Sequence, residues 1–186
     1  MNKSTLRKLA LTERKLLTDK EVRTRSLALL ERFKSLDFSE INTIHVFLPI
    51  KEKKEPDTFL LINWLRIHHP AIEILVPRAD FKTSVMSAHK YIHRDGLLKN
   101  SYNILEPVDS EEFIGNIDLV LVPLLAFDKL GYRVGYGKGF YDRFLEHHEA
   151  LKVGLSFFEA TECIEDVDEY DIRLDLCLTP ENKYTF

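Results

Sequence analysis

The fold of this chain is decided by Asp118-Leu-Val-Leu-Val-Pro123 and by the glycine-rich segment that follows it, Gly131-Tyr-Arg-Val-Gly-Tyr-Gly-Lys-Gly-Phe-Tyr-Asp142. The first stretch is short, apolar and β-branched, which predicts a strand buried on both faces, as in a parallel sheet. After the glycines, apolar residues at positions 140, 141, 144 and 145 recur at helical spacing. The order strand, long loop, helix is typical of an α/β protein, where ligands bind outside the carboxyl ends of the strands.

The glycine-rich segment predicts a phosphate site. It holds four of the seven glycines, and those at alternate positions from 135 to 139 allow positive φ and a close approach of backbone N–H groups to an anion. Arg133 and Lys138 add positive charge. A Walker A loop needs a glycine where Tyr132 stands, and the dinucleotide pattern needs one where Phe140 stands. The glycines alone leave two interpretations equally open, a phosphate cradle and a tight turn.

Composition limits the class of protein. A chain of 186 residues with 45% hydrophobic content is enough for one substantial core, so we expect a single domain over 1–186. The net charge of −4 and the lack of a basic run argue against nucleic acid as a partner. No membrane span or signal-type segment is visible, and Cys163 and Cys177 have no metal-site spacing. We therefore expect a cytoplasmic protein with no membrane partner, and we favour a monomer.

The rest of the chain predicts two helices followed by alternating strands and helices. In the first helix, the apolar face comprises Leu6, Leu9, Ala10, Leu16 and Leu17, with basic residues, Arg14 among them, around the remainder. Thr18-Asp-Lys-Glu21 matches a capping box that opens a second helix reaching Phe33. Strands are predicted at 43–48, 72–76, 119–122, 152–155 and 176–179, with a helix at 57–69 and an antiparallel excursion from 85 to 104. This pattern predicts an α/β fold with a mostly parallel sheet.

One long motif resembles a known family. Phe127-Asp-Lys-x-Gly-Tyr-Arg-x-Gly-x-Gly-Lys-Gly-Phe-Tyr-Asp142 closely resembles the signature of the 5-formyltetrahydrofolate cyclo-ligases, also called 5,10-methenyltetrahydrofolate synthetases. Lys3 and Arg7 match a Lys-x-x-x-Arg pair in the family's first helix, Glu55-Pro-Asp-Thr58 matches an element after its first strand, and Asp175 matches an aspartate on a late strand. The resemblance spans nearly the whole chain. It implies a three-layer αβα fold of the ribose-phosphate isomerase and CoA-transferase type.

The resemblance also implies a reaction, which is the ATP- and magnesium-dependent closure of 5-formyltetrahydrofolate to 5,10-methenyltetrahydrofolate. The substrate is this small molecule, with or without a polyglutamate tail. The implied catalytic residues are Arg133 and Lys138, and the implied magnesium ligands are Asp142 and Asp175. ATP is expected at Lys3, Arg7, Arg133, Val134, Gly135, Tyr136, Gly137, Lys138, Gly139, Phe140 and Tyr141. The folate is expected at Leu48, Glu55, Tyr136, Gly137, Lys138, Gly139 and Phe140, although Lys51-Glu-Lys-Lys-Glu55 lengthens the loop that carries Glu55 relative to the family.

Structural alternatives accompany these roles. Asp142 in the first turn of a helix stabilises the helix dipole without any ligand, and Lys138 alone is compatible with an ordinary solvated lysine. Lys3 and Arg7 also fit a solvated helix face or a mitochondrial presequence. Two rival functions remain open, a non-catalytic folate- or nucleotide-binding protein and a sugar-phosphate isomerase. The isomerase needs a positioned general base, for which the sequence offers no motif.

Overall fold

The computed structural model describes residues 1–186 and contains four helices and eleven strands. The helices are α1 Lys3–Leu16, α2 Asp19–Phe33, α3 Phe59–His68 and α4 Phe140–Glu146. The strands are β1 Thr43–His45, β2 Glu73–Asp80, β3 Val85–Lys90, β4 Leu97–Lys99, β5 Leu105–Pro107, β6 Leu119–Pro123, β7 Ala126–Phe127, β8 Arg133–Val134, β9 Leu151–Leu155, β10 Leu176–Leu178 and β11 Lys183–Thr185. Two short 3-10 turns lie at Lys51–Lys53 and Arg94–Gly96.

Seven strands form the central sheet, in the order β11-β10-β9-β6-β1-β2-β3. The five inner strands are parallel, and β3 and β11 close the edges in antiparallel pairs. The four residues 119–122 of the central strand β6 are fully buried, as the apolar run predicts for a strand covered on both faces. The chain adds β2 on one side of β1, whereas β6, β9 and β10 follow on the other, so the strand order reverses between β1 and β6. Ligand crevices form at such reversals.

Helices cover both faces of the sheet. One face packs with α2 and α3, where Leu29, Phe33 and Leu65 join Leu121 in the larger core cluster. On the other face, Phe144 and Leu145 of α4 pack among the smaller core cluster. The predicted α/β fold with helical layers on both sides is confirmed.

The buried face of α1 differs from the prediction. Leu9 and Leu16 are 47% and 78% exposed, whereas Arg14 is only 2% exposed. The reason is that α1 packs beside the short β7–β8 hairpin, where Leu6 contacts Ala126 and Val134, and not on the main sheet. The end of this helix therefore lies against a backbone carbonyl and a tyrosine hydroxyl. A guanidinium can donate hydrogen bonds to both, whereas a leucine cannot.

Other local predictions are close to the structure. The capping box is present, with reciprocal hydrogen bonds between Thr18 and Glu21. The excursion consists of β3, antiparallel to β2, and the separate β4–β5 pair. The predicted strand at 43–48 ends at His45, and the long loop after β6 contains the β7–β8 hairpin. Strand β11 is missing from the predicted pattern.

None of the helices combines the length and the apolar character needed to cross a membrane.

Candidate functional site

A cleft of about 1140 Å³ opens at the carboxyl ends of β1, β2 and β6. Its floor includes Pro77 and Ala79 of β2 and Pro123 at the end of β6, and its walls come from α1, the glycine-rich loop and the excursion. All but one of the predicted site residues line this cleft, namely Lys3, Arg7, Leu48, Glu55, Arg133, Val134, Gly135, Tyr136, Gly137, Lys138, Gly139, Phe140, Tyr141 and Asp142. The exception is Asp175.

Two of the three alternate glycines adopt backbone conformations that favour glycine. Gly137 has φ +84°, and Gly139, which precedes α4, has φ +66°. A Cβ atom on Gly137 would lie 3.3 Å from the guanidinium of Arg7, whose Nε donates to the Gly135 carbonyl at 2.9 Å. Gly135 departs from the prediction, because its φ is not positive and a Cβ there meets no atom within 4 Å. The loop therefore holds its backbone against the arginine of α1.

The two predicted catalytic cations differ in their surroundings. Lys138 is exposed at the cleft, and its ammonium makes no hydrogen bond or ion pair within the protein. Arg133 is 7% exposed and donates to Asp142 Oδ1 at 2.7 Å and to the Ile172 carbonyl. Burial lowers the pKa of Arg133, and the charges of Asp142 and Asp171 oppose that shift. Lys138 is thus free to meet an anion, whereas Arg133 holds Asp142 in place.

A second ion pair crosses the cleft. The Lys3 ammonium is bonded to Asp171 and lies 3.5 Å from Asp168, and all three residues line the cleft. Burial acts to lower the pKa of Lys3, but the hydrogen bond and charge of Asp171 outweigh it, so the net shift is upward. Sequence reasoning missed both aspartates as site residues. The only signal was their position in an acidic stretch just before Asp175.

Asp175 lies at the opposite end of the sheet. It precedes β10 at the amino end of that strand, where its carboxylate accepts from the backbone N–H of Lys152 at 2.7 Å and pairs with the Lys152 ammonium at 2.9 Å. Because β10 runs parallel to the strands whose carboxyl ends open into the cleft, its amino end faces away from the site. The structure therefore does not bring Asp175 together with Asp142. Asp171, four residues earlier, occupies the cleft instead.

Glu55 reaches the cleft despite its longer loop. The 3-10 turn at Lys51–Lys53 and a left-handed Lys54, with φ 49°, fold the insertion back on itself. The Ile50 N–H donates to Glu55 Oε2 at 2.7 Å, and the Tyr136 hydroxyl donates to Oε1 at 2.5 Å. Burial raises the pKa of Glu55, while these hydrogen bonds and the charges of Arg14 and Lys53 act to lower it.

Aromatic side chains complete the walls. The Tyr141 hydroxyl is buried without a hydrogen-bond partner, which leaves it available to a bound molecule. Phe81 and Tyr102 stack with ring centroids 4.0 Å apart, and Phe140 meets Phe81 edge-on at 5.1 Å. Sequence reasoning missed Phe81 and Tyr102, because they lie in separate turns that only the folded excursion brings together. Such rings suit a planar ligand.

Comparison with known proteins agrees with this geometry. A 5,10-methenyltetrahydrofolate synthetase from Aquifex aeolicus superposes with a TM-score of 0.82 at 32% identity, covering 100% of this chain and 93% of that one. The synthetase from Mycoplasma pneumoniae gives a TM-score of 0.74 at 25% identity, covering 97% and 99% of the two chains. The mitochondrial 5-formyltetrahydrofolate cyclo-ligase of Arabidopsis thaliana is 30% identical in an alignment of 171 positions that covers 77% of this chain and 61% of that protein's length.

The match to the family as a whole extends over most of the sequence. The sequence profile of the 5-formyltetrahydrofolate cyclo-ligase family covers residues 1–180, from the start of α1 to beyond β10. The matched region includes every cleft residue described above. This chain belongs to the 5-formyltetrahydrofolate cyclo-ligase family.

Proposed function

We propose that this protein uses ATP and Mg²⁺ to cyclise 5-formyltetrahydrofolate to 5,10-methenyltetrahydrofolate, releasing ADP and phosphate. The observation that carries the proposal is the cleft itself. It places an unpaired lysine ammonium, a glycine loop and three aspartates beside a buried glutamate, in a chain of the cyclo-ligase family. We further propose a monomer in the cytoplasm, and the two free thiols fit such a reducing compartment.

The chemistry requires activation of the formyl group. Its carbonyl is a poor electrophile, and its oxygen must become a leaving group before the ring can close. Transfer of the γ-phosphoryl group of ATP to that oxygen achieves this, after which N10 of the folate attacks the activated carbon, loses its proton, and phosphate departs. In phosphoryl transfer, a protein contributes mainly position and charge.

The nucleotide end of the cleft provides that charge. The Lys138 ammonium has no internal partner and lies on the glycine loop, so it is suited to the transferring phosphoryl group. Arg7, held against Gly135, and Lys3 provide further cations from α1. The Tyr141 hydroxyl supplies one unused donor.

Asp142 and Asp171 would hold the magnesium ion. Mg²⁺ in phosphoryl-transfer sites takes one or two carboxylates together with phosphate oxygens and waters. The two aspartates flank Arg133, and Asp142 has an oxygen that accepts no hydrogen bond. When bound, the ion neutralises charge on the phosphate oxygens. Lys3 would then exchange Asp171 for the triphosphate.

The folate end is defined by Glu55. A carboxylate offers about four acceptor positions, and Glu55 uses two of them on Ile50 and Tyr136. The remaining positions suit the N–H donors of a pterin. Leu48 supplies an apolar surface beside it, and the stacked rings of Phe81 and Tyr102 suit the aromatic part of a folate.

An absorbance assay for methenyltetrahydrofolate tests the proposal. Purified protein is incubated with 5-formyltetrahydrofolate, ATP and MgCl₂, with parallel reactions lacking ATP or containing EDTA. We expect product only in the complete reaction. Absence of product, or equal product without ATP, would overturn the proposal and favour a binding protein.

Lys138→Ala tests the predicted phosphoryl contact. We expect kcat to fall at least about tenfold, because loss of one positioned electrostatic group commonly costs about 2.7 to 4 kcal/mol of transition-state stabilisation. The thermal midpoint should not change, since the ammonium contacts nothing within the protein. Lys34→Ala, at the end of α2 and outside the cleft, is the control. Near-normal turnover in the Lys138 variant would remove that residue from the catalytic set.

A further inference from the structure

Arg14 is a buried charge that the proposed reaction does not yet use. It lies in the last turn of α1, eleven residues after Lys3, which is about 16 Å along the helix axis. Lys3, Arg7 and Arg14 share one side of this helix. The first two line the nucleotide end of the cleft, so the same side of α1 runs on toward Tyr136 and Glu55.

The hydrogen bonds of Arg14 have a fixed direction. Its Nη1 donates to the Tyr136 hydroxyl at 3.2 Å, and its Nη2 donates to the Leu124 carbonyl. Arginine can only donate, so the Tyr136 oxygen must be the acceptor. The single hydroxyl proton of Tyr136 is then directed to Glu55 Oε1 at 2.5 Å, and Glu55 must accept it. The chain Arg14 to Tyr136 to Glu55 therefore ends on an accepting oxygen of the Glu55 carboxyl group.

Two features indicate that the buried charge of Arg14 costs folding free energy. Both of its hydrogen-bond partners are uncharged, and its Nε is buried without any partner. A buried charge with uncharged partners is costly unless another charge compensates it. The compensating charge is Glu55, reached through the Tyr136 hydroxyl.

We propose that Arg14 is a positioning residue for the folate, which acts through Tyr136 to keep the Glu55 carboxylate ionised and oriented into the cleft. This inference rests on the proposed function, because it assumes that Glu55 binds the pterin. In this arrangement α1 contributes to the binding of both substrates, because Lys3 and Arg7 lie at the nucleotide and Arg14 lies behind the folate site.

Neighbouring contacts reinforce this arrangement. The Lys54 ammonium donates to the carbonyls of Lys15 at 2.8 Å and of Leu17, which anchors the Glu55 loop to the end of α1. The Lys53 ammonium lies 4.0 Å above the Tyr136 ring. Burial raises the pKa of Glu55, and the charges of Arg14 and Lys53 oppose that rise. Removal of the Arg14 charge should therefore raise the Glu55 pKa further.

Steady-state kinetics on Arg14→Met and Tyr136→Phe test the proposal. We expect each variant to raise KM for 5-formyltetrahydrofolate at least tenfold, and we expect Arg14→Met to change KM for ATP less than threefold. Arg25→Met is the matched control, because Arg25 also donates to a backbone carbonyl, that of Phe157, but lies outside the cleft. The control should leave both KM values within twofold.

A pH profile separates positioning from simple destabilisation. Arg14→Met should move the acid limb of kcat/KM for the folate to higher pH, since Glu55 protonates more readily without the cation. Glu55→Gln should remove that limb. In the Glu55→Gln background, Arg14→Met should raise the folate KM less than threefold, because the residue through which it acts is already neutral.

Several outcomes would overturn the inference. These are equal increases in both KM values, an unshifted acid limb, or a full tenfold effect of Arg14→Met in the Glu55→Gln background. Tyr136→Phe removes one oxygen and keeps the ring, so it gives the same test if Arg14→Met does not fold. Wild-type protein that forms no product overturns the proposed function itself, which distinguishes the two failures.

Discussion

At the scale of single residues, the cleft is an arrangement of opposite charges. Lys3 pairs with Asp171, Arg133 pairs with Asp142, and Lys138 has no partner. Lys3 is suited to phosphate and both paired carboxylates to Mg²⁺, so a magnesium nucleotide can replace the Lys3–Asp171 pairing while Arg133 keeps Asp142 in place. ATP without Mg²⁺ would leave a carboxylate without a cation, and Mg²⁺ without ATP would leave a cation without an anion.

Asp171→Asn and Asp175→Asn form a matched pair of variants that tests the reassigned magnesium site. We expect Asp171→Asn to raise the Mg²⁺ concentration for half-maximal rate at least tenfold, because an amide is a weaker ligand than a carboxylate. Asp175→Asn should leave that concentration within twofold, since Asp175 bonds to Lys152 at the other end of the sheet. The measurement is the initial rate against MgCl₂ at fixed ATP. A larger shift for the Asp175 variant would contradict the assignment.

At the scale of elements, the turn that leads into the glycine-rich loop is held in shape by one buried carboxylate. Asp128 is fully buried, and its two oxygens accept from the backbone N–H groups of Leu130 at 3.0 Å, Tyr132 at 2.9 Å and Ile164 at 3.0 Å. Asp128 directly follows β7 and begins the turn that joins β7 to β8. The turn at the start of the glycine-rich loop is therefore preorganised by the protein before any ligand contributes.

Asp128→Ala should destabilise the protein and disturb the loop. An unsatisfied buried donor costs about 1 to 3 kcal/mol, and three donors lose their acceptor, so we expect the free energy of unfolding to fall by at least about 2 kcal/mol. Urea denaturation monitored by circular dichroism measures this change. Asp95→Ala, at an exposed turn in the excursion, is the control and should change stability by less than about 0.5 kcal/mol. Equal effects of the two substitutions would show that Asp128 does not organise the loop.

At the scale of the whole molecule, the site joins segments that are far apart in sequence. The Lys3 N–H donates to Asp166 at 2.6 Å, and Lys3 itself pairs with Asp171, which ties the first turn of α1 to the segment before β10. Arg7 ties the same helix to the glycine loop through Gly135. A ligand that contacts all three segments adds its binding free energy to the stability of the entire domain.

Magnesium nucleotide should therefore raise the thermal midpoint. At a concentration about 100 times Kd, a ligand adds about 2.7 kcal/mol, which corresponds to roughly 5 to 10 °C for a domain of this size. We expect ATP with EDTA, or MgCl₂ alone, to give less than half of this rise. Differential scanning fluorimetry measures it, with AMP and MgCl₂ as the control for the triphosphate. A full rise without Mg²⁺ would contradict the paired arrangement of charges.

The sequence by itself determined the features that depend on neighbours along the chain. The buried run of β6, the capping box of α2 and the glycine-rich loop all follow from local periodicity, propensity and backbone freedom, and the family motif adds the expected reaction. These features can be predicted from the sequence because a few adjacent residues determine the period of a strand, the cap of a helix or a positive φ.

Only the tertiary structure decided which distant side chains meet. It buried Arg14 behind Glu55, placed Asp171 and not Asp175 in the cleft, and stacked Phe81 on Tyr102. Asp171 and Asp175 are only four residues apart, yet the direction of β10 sends Asp175 to the far end of the sheet. Neighbouring residues in the sequence do not determine the direction of a strand in the sheet or the path of the loops at the ends of the strands. Which side chains form the site therefore depends on how the whole sheet is assembled.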